Sequence, residues 1–330
     1  MAEGVIVYDR DDKMIDICDL TKVFGNGYKA LNKINIKMEP GEIYGLLGPN
    51  GAGKSTTLKI LATLLKPTSG SVTIKGFNIR KDTHKIRSII GCVFQDTIVD
   101  ESFTGYENLQ LHGALCGIKK EELKKRIDWI SDVLEIKDYL SNKVKLYSGG
   151  VKRKLDIAVA LINDPEILYM DEPTVGLDPN IRRKLWDHIR NIQKERNMNV
   201  IITTHYLDEA DYLCGRISII DKGEIVATGI PADLKREVEG DAVEVVFGIE
   251  DMEMVNGKKN DIEKCFKEKL NIKGVKFTNN SILVYCNNFG KDILKISEII
   301  GLFELKPDSF INSSPSLDDV FIKYAGRHFK

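Results

Sequence analysis

The sequence predicts an α/β protein built on a parallel sheet, followed by a small α+β domain. Apolar runs that are typical of buried strands, such as Ile43–Leu47 and Ile167–Met170, alternate with helical stretches such as Ile181–Glu195. This alternation indicates a parallel sheet flanked by helices. A glycine-rich loop joins the first of these strands to a helix. After Asp241 the strand-like stretches follow each other more closely, which indicates a second domain.

The elements of the first domain can be placed in order along the chain. Two strand-like stretches, Ile15–Leu20 and Ile34–Met38, precede the apolar run Ile43–Leu47 and the glycine-rich loop. A helix with leucines at helical spacing follows this loop. Residues of about 102–145 are predicted to be mostly helical, and a further strand is predicted at Val200–Thr203.

These patterns divide the chain into an N-terminal extension over residues 1–14, a main domain over 15–235 and an accessory domain over 241–330. A helical subdomain is predicted within the main domain at about 96–160. The accessory domain is expected to contain strands at Ala242–Phe247, Val275–Thr278 and Ser281–Cys286, and helices at Asp261–Lys269 and Lys291–Ile300.

A capped helix is predicted near the end of the accessory domain. Ser316 is a suitable N-cap, and Asp319 stands at the capping-box position three residues later. Leu317, Val320 and Phe321 share one face of this helix. We expect that face to close the core of the accessory domain.

The composition excludes several classes of function. The chain is 42% hydrophobic and its net charge is -1, so no overall positive field favours nucleic acid as a partner. Six scattered cysteines form no C-x-x-C pair, which gives no support to a zinc site or a disulfide framework. The first residues lack the apolar stretch of a signal peptide, and no apolar run is long enough to span a bilayer. Any role at a membrane is therefore expected to depend on a partner.

Residues 48–55 match the phosphate-binding pattern G-x-x-x-x-G-K-[ST]. The glycines allow backbone N–H groups to surround phosphate oxygens at the start of a helix. Lys54 is predicted to reach the β- and γ-phosphates, and the Ser55 hydroxyl to bind Mg²⁺. The strand before the motif and the helix after it are the context that this loop requires.

A second chemical feature is the pair of carboxylates that ends the strand at Ile167–Met170. Phosphoryl transfer needs an acidic partner for the metal and a group that orients water. We expect Asp171 to join the metal shell and Glu172 to act as the general base. Such a strand end is weak evidence by itself and gains meaning only from the motifs around it.

Between these two sites lies the segment Tyr147-Ser148-Gly149-Gly150-Val151. It resembles the signature motif of ATP-binding-cassette (ABC) proteins, usually L-S-G-G-Q, in the Y-S-G-G variant of daunorubicin-resistance-type drug exporters. Val151 replaces the usual glutamine, which puts affinity across an interface in doubt but not catalysis. The other family motifs resemble, in order, the adenine-stacking aromatic at Phe24, the Q-loop at Gln95, the D-loop at Gly176–Pro179 and the switch histidine at His205.

The resemblance implies a P-loop NTPase fold of the ABC ATPase type, with a mixed sheet core and a helical subdomain. It implies ATP and Mg²⁺ as cofactors. The implied ATP-binding residues are Phe24, Gly48, Pro49, Asn50, Gly51, Ala52, Gly53, Lys54, Ser55 and Thr56. The implied catalytic residues are Lys54, Glu172 and His205, and the implied metal ligands are Ser55, Gln95 and Asp171. Ser148, Gly149 and Gly150 are implied to bind the ATP of a second copy, and Gln95 and Asp178 to couple the sites.

Tyr28 remains a rival to Phe24 as the aromatic residue that stacks on adenine. His84, His112, His188 and His328 have no motif around them, and we expect them to be structural or solvated.

The resemblance favours an ATP-hydrolysing subunit of an ABC transporter, of export rather than import. It is expected to form a homodimer with ATP at the interface and to drive a separate membrane permease from the cytoplasmic face. No nucleic acid is expected. The alternative is a soluble ABC ATPase that acts on macromolecules in iron–sulfur assembly, repair or translation. Only 52 residues separate Gln95 from Ser148, too few for the coiled-coil insertion of a repair ATPase, and one cassette is fewer than translation factors carry.

Overall fold

A computed structural model describes residues 14–238, 241–270, 272, 274–286, 289–313 and 316–326. Residues 1–13, nearly all of the predicted N-terminal extension, lie outside this range, and so does His328. The described chain divides into two compact units, 14–231 and 232–326. The division falls close to the predicted end of the main domain.

The strands are β1 (Ile15–Val23), β2 (Lys29–Met38), β3 (Ile43–Leu47), β4 (Ser69–Ile74), β5 (Phe77–Asn78), β6 (Ile90–Val93), β7 (Ile167–Asp171), β8 (Asn199–Thr204), β9 (Arg216–Asp221), β10 (Glu224–Gly229), β11 (Asp241–Phe247), β12 (Gly274–Phe277), β13 (Ser281–Cys286) and β14 (Pro307–Ser313). The helices are α1 (Lys54–Leu61), α2 (Thr83–Ile89), α3 (Gly105–Leu115), α4 (Lys120–Val133), α5 (Gly149–Leu161), α6 (Pro179–Arg196), α7 (Leu207–Leu213), α8 (Pro231–Glu237), α9 (Ile249–Gly257), α10 (Lys259–Lys269), α11 (Phe289–Leu302) and α12 (Leu317–Ala325). Among these helices, none combines the length and the apolar character needed to cross a membrane.

A six-stranded sheet in the order β10-β9-β3-β8-β7-β6 forms the centre of the first unit. Its neighbours are parallel except for the antiparallel edge strand β10. Every residue of β3, β7 and β8 is buried, which explains why apolar residues follow one another in these strands instead of alternating with polar ones. Because these strands are parallel, the phosphate loop, the carboxylate pair and His205 follow strand ends at one edge of the sheet.

A second sheet in the first unit is antiparallel, in the order β2-β1-β4-β5. Ile15 faces Met38 on one side and Ile74 on the other, and all three belong to the core of this unit. The sequence predicted β1 and β2 but not β4 and β5. Together the two sheets give the mixed core expected from the resemblance.

Helices α3 and α4 lie within the range of about 102–145 that was predicted to be mostly helical, and α5 follows them before β7. Helix α3 begins with a capping box in which the Thr104 hydroxyl accepts from the Glu107 N–H (3.2 Å) and the Glu107 carboxylate accepts from the Thr104 N–H (2.7 Å). This cap specifies where the helical segment starts.

The second unit has an antiparallel sheet in the order β12-β13-β11-β14 and a core of its own. Alternate residues of β11, Val243 and Val245, face this core together with Phe266 of α10 and Ile296 of α11. The predicted strands and helices are present, whereas α9 and β14 were not predicted. The capped helix is confirmed: Asp319 N–H donates to Ser316 Oγ (3.3 Å), and the Asp319 carboxylate accepts from Ser316 N–H (2.9 Å).

Candidate active site

The loop between β3 and α1 requires glycine at two positions. Gly53 has a φ of 116°, which L-residues rarely adopt, and a Cβ there would lie 2.8 Å from the Ala30 carbonyl oxygen. At Gly48, a Cβ would lie 2.2 Å from the Ile220 carbonyl oxygen. The loop leads into the N-terminus of α1, where free N–H groups and the helix dipole favour an anion.

Lys54, the first residue of α1, has its ammonium group held inside the loop. Its side chain is only 4% exposed, and Nζ donates to the Gly48 carbonyl (2.6 Å) and the Pro49 carbonyl (3.2 Å). Nζ also lies 3.2 Å from Glu172 Oε1. Burial lowers the pKa of Lys54, and the Glu172 carboxylate opposes part of that shift. Oxygen atoms of the loop and of Glu172 therefore orient the ammonium group.

Asp171, the last residue of β7, is placed by the neighbouring strand and by α1. The Thr203 hydroxyl of β8 donates to Asp171 Oδ1, and the Ser55 hydroxyl donates to the same oxygen at 3.1 Å. Asp171 is 3% exposed. A hydroxyl and a carboxylate oxygen in contact are the hard ligands that Mg²⁺ prefers, so these residues fit that ion.

Glu172 occupies a turn with a left-handed backbone, at a φ of 47°. Such a conformation costs a non-glycine residue about 1–3 kcal/mol, and it is stabilised here because the Glu172 N–H donates to both the carbonyl and the hydroxyl oxygen of Thr203 (3.1 Å each). Strain of this kind is concentrated at functional sites.

Three groups from separate parts of the chain meet the Glu172 carboxylate. Oε1 lies 3.2 Å from Lys54 Nζ and 3.1 Å from His205 Nδ1, and Oε2 accepts from Gln95 Nε2 at 3.0 Å. Burial by itself raises the pKa of Glu172, but the His205 hydrogen bond and the Lys54 charge more than offset it, so the pKa lies below its ordinary value. The carboxylate is consequently ionised at neutral pH and available as a base.

Lys54, Gln95 and Glu172 line a cleft of about 390 Å³. Tyr28 lines it, and its hydroxyl donates to the Gly51 carbonyl at 3.2 Å. Phe24 lies against Tyr28, with ring centroids 6.4 Å apart and planes 16° from parallel. The full wall consists of Tyr28, Ala30, Pro49, Asn50, Gly51, Gly53, Lys54, Ser55, Thr56, Gln95 and Glu172.

Comparison with known proteins shows that the chain resembles the ATP-binding proteins of ABC transporters. The family model described as ABC transporter matches residues 31–175. DrrA3, a daunorubicin resistance ATP-binding protein of Streptomyces coeruleorubidus, is 38% identical over 236 residues, or 72% of this chain and 74% of the relative. The Nod factor export ATP-binding protein I of Rhizobium etli is 30% identical over 319 residues, or 96% and 94% of the two chains. The chain belongs to the ABC transporter family.

Solved ABC structures share the fold. One is a dimeric ATP-binding cassette in a post-hydrolysis state, bound to ADP and Pi, with a TM-score of 0.61 and 30% sequence identity. The match covers 66% of this chain and 98% of that structure's chain. cbiO1 of Clostridium perfringens, part of an ABC transporter complex, has a TM-score of 0.65 and 28% sequence identity. The match covers 76% of this chain and 98% of cbiO1. The predicted fold class and ATPase activity are confirmed. The chain is the ATP-hydrolysing subunit of an exporter-type ABC transporter, and the soluble alternative is set aside.

The ABC signature lies at a helix start outside the wall of the phosphate-loop cleft. Ser148 is the N-cap of α5, and its hydroxyl accepts from the Val151 N–H (3.4 Å). Gly149 lines a second cleft of about 430 Å³, which Gln95 and Glu172 also border. Asp178 caps α6 in the same way, accepting from the Ile181 N–H at 3.0 Å.

Tyr147, which stands where most ABC signatures have leucine, is buried. Its hydroxyl donates to the Tyr139 carbonyl, and its ring meets that of Tyr139 edge-on, with the centroids 6.1 Å apart. A Cβ at Gly105 would clash with this hydroxyl, so glycine at the start of α3 makes room for the larger side chain. The substitution therefore packs into the segment before the signature without reaching the cleft.

Sequence reasoning missed Thr203 and Arg153. Thr203 orients both carboxylate residues through its hydroxyl, but a threonine at a strand end is common and carries no signal by itself. Arg153 follows the signature within the run Lys152-Arg153-Lys154, and nothing in that run distinguishes the cation that contacts the Glu172 turn.

Proposed function

We propose that this ABC subunit hydrolyses ATP with Glu172 as the general base. The observation that carries the proposal is the convergence of Lys54, Gln95 and His205 on the Glu172 carboxylate. These residues come from a helix start, the segment after β6 and the segment after β8, so their meeting at one carboxylate is not a local packing effect. Phosphoryl transfer depends on this kind of positioning and charge stabilisation.

The chemistry follows from the positions of the charges. The Glu172 carboxylate accepts a proton from a water molecule as the water oxygen bonds to the γ-phosphorus. The bond from the γ-phosphorus to the bridging oxygen breaks, and ADP leaves with the electron pair. The Lys54 ammonium stabilises charge that builds on the phosphate oxygens. The ammonium lies 3.2 Å from Glu172 Oε1, and His205 Nδ1 lies 3.1 Å from the same oxygen, so both side chains orient the base.

The predicted metal ligands Ser55, Asp171 and Gln95 suit Mg²⁺ because each offers an oxygen atom. The Ser55 hydroxyl already contacts the Asp171 carboxylate. When bound, Mg²⁺ neutralises charge on the β- and γ-phosphates.

We further propose that two copies pair head to tail, with each ATP held between the phosphate loop of one copy and the signature of the other. Ser148 and the first residues of α5 then present a helix N-terminus to the second copy's γ-phosphate. The position of the signature outside the phosphate-loop cleft supports this arrangement, and so does the dimeric relative that holds ADP and Pi. Asp178, at the start of the neighbouring helix α6, is proposed to couple the two sites.

A separate membrane permease is the proposed partner, which places the chain at the cytoplasmic face of the membrane. Large apolar side chains in and around the helical segment are exposed, as is usual for a surface that a partner covers. They are Ile98, Phe103, Leu111, Leu115, Tyr139 and Leu146.

The test is Glu172→Gln, which keeps the shape of the side chain but removes its capacity to accept a proton. We expect turnover to fall by about 10²–10⁴-fold while ATP binding persists. The unhydrolysed ATP should then hold two copies together, which light scattering with and without ATP measures. Lys54→Ala is the control, because losing the ammonium should also remove the ATP-dependent dimer. Normal turnover of the Glu172→Gln protein would reject this site.

A further inference from the structure

The guanidinium of Arg153 lies against the backbone of the catalytic turn. Its Nη2 donates to the carbonyl oxygens of Asp171 (3.1 Å) and Glu172 (3.4 Å), and its Nε donates to that of Pro173 (2.8 Å). These are three consecutive carbonyls of the segment in which Glu172 has its left-handed backbone. A planar guanidinium with five fixed donors is suited to such a set, and a single ammonium is not.

The same guanidinium also reaches the segment that carries Gln95. Its Nη1 donates to the Phe94 carbonyl at 2.6 Å, one residue before Gln95. One helical turn along α5, the buried Asp156 accepts from the Thr97 hydroxyl (2.7 Å) and the Ile98 N–H (3.2 Å). Helix α5 therefore holds this segment on both sides of Gln95, whose amide donates to the Glu172 carboxylate.

We propose that Arg153 is a positioning residue for ATP hydrolysis, which fixes the Glu172 turn and ties it to the helix that begins at the signature. The inference rests on the proposed function, because Glu172 must be the base for its position to matter. Arg153 lies five residues after Ser148 on α5. A shift of α5 when Ser148 meets the second copy's ATP is thus transmitted to Glu172 of the same chain. Arg153 acts on turnover and not on ATP binding, because none of its four acceptors belongs to the phosphate loop.

The experiment compares Arg153→Met with the matched control Arg190→Met. The Arg190 guanidinium is also half-buried and donates to a backbone carbonyl, that of Tyr212 at 2.6 Å, but it lies in neither cleft wall. For Arg153→Met we expect kcat to fall about tenfold or more while KM for ATP changes by less than about threefold. For Arg190→Met we expect both constants to stay near those of the unaltered protein. Normal kcat for Arg153→Met overturns the inference.

A kinetic double-mutant cycle separates positioning from general structural damage. If Arg153 acts through Glu172, adding Arg153→Met to Glu172→Gln should lower the residual turnover by less than about threefold. A full additional loss would mean that Arg153 acts independently of the base, and it rejects the inference. The proposed function fails in a different way, through normal turnover of Glu172→Gln alone.

Arg153→Lys keeps the test decisive if Arg153→Met does not fold. Lysine retains the charge but cannot bridge Phe94 and the three turn carbonyls at once. We expect kcat to be about fivefold lower or more, with the ATP-dependent dimer preserved in the Glu172→Gln background. A kcat equal to that of the unaltered protein would show that charge alone suffices and would reject a positioning role.

Discussion

At the scale of single residues, the structure distinguishes the two aromatic side chains near the cleft. The family resemblance favoured Phe24 as the adenine platform, with Tyr28 as its rival. Tyr28 lines the cleft, and its hydroxyl donates a hydrogen bond to the Gly51 carbonyl. Phe24 stacks on Tyr28 and is not among the residues that line the cleft. We therefore propose that Tyr28 contacts the base and that Phe24 supports it from behind.

This assignment predicts that Tyr28→Ala raises KM for ATP about tenfold, because an aromatic face stacked on a base contributes about 1–3 kcal/mol. Phe24→Ala should raise it less, since its ring acts through Tyr28. Tyr28→Phe serves as the control, as it keeps the ring and removes only the hydroxyl bond to Gly51. Steady-state kinetics of the three proteins would decide the order, and a larger effect from Phe24→Ala would restore the original assignment.

At the scale of elements, α5 and α6 meet at a buried histidine. Lys154 Nζ of α5 lies 3.2 Å from His188 Nε2 of α6, and Glu135 Oε2 lies 3.7 Å from each. Burial lowers the pKa of His188, and Lys154 lowers it further, while Glu135 and Asp187 act in the opposite direction. Lys184 adds a further positive charge near Lys154. These surroundings therefore favour the neutral form of the His188 imidazole.

We therefore expect the stability of the folded chain to decrease at acidic pH. Because the pKa of His188 is lower in the folded chain, the unfolded chain binds the proton more readily, and stability falls as pH drops through the ordinary histidine range near 6.5. His188→Gln should remove this contribution, since glutamine fills similar space without titrating. Urea unfolding at pH 7.5 and at about pH 5.5 measures it. An equal loss of stability in both proteins on acidification would contradict the prediction.

At the scale of the whole molecule, the two units have separate hydrophobic cores. Every residue assigned to phosphate chemistry lies at or before His205, in the first unit. Helix α8, which contains the predicted end of the main domain at residue 235, contacts helix α12. Lys323 Nζ donates to the Glu237 carbonyl at 2.5 Å, and the Tyr324 hydroxyl contacts the Glu237 carboxylate. The second unit is proposed to hold copies together between ATP cycles or to contact the permease.

A chain that ends at Pro231 should therefore bind ATP with a Kd within about threefold of the full-length protein, because each core is complete without the other. A chain that ends after residue 239 should be less soluble, because it retains α8 without the residues of α12 that contact it. Nucleotide titration and the oligomeric state without ATP are the measurements. A soluble truncated chain that fails to bind ATP would show that the division of labour is wrong.

The sequence by itself determined the features that local chemistry dictates. The glycine-rich pattern at residues 48–55 specifies a phosphate loop, the apolar runs Ile43–Leu47 and Ile167–Met170 specify buried strands, and the Ser316 cap specifies a helix start. Each signal lies within a few residues of what it specifies, so it can be read without the fold.

Only the tertiary structure decided which distant residues meet. The pairing of β14 with β11 joins segments about sixty residues apart. The strand Pro307–Ser313 is mostly polar, so it lacks the apolar pattern from which a strand can be predicted. The presence of Tyr28 in the cleft wall, with Phe24 against its ring, likewise depends on packing. The inward turn of Arg153 between two lysines depends on where α5 packs, because a charged side chain has no local reason to be buried. Contacts of this kind arise from packing of the whole chain, which is why residue patterns alone could not predict them.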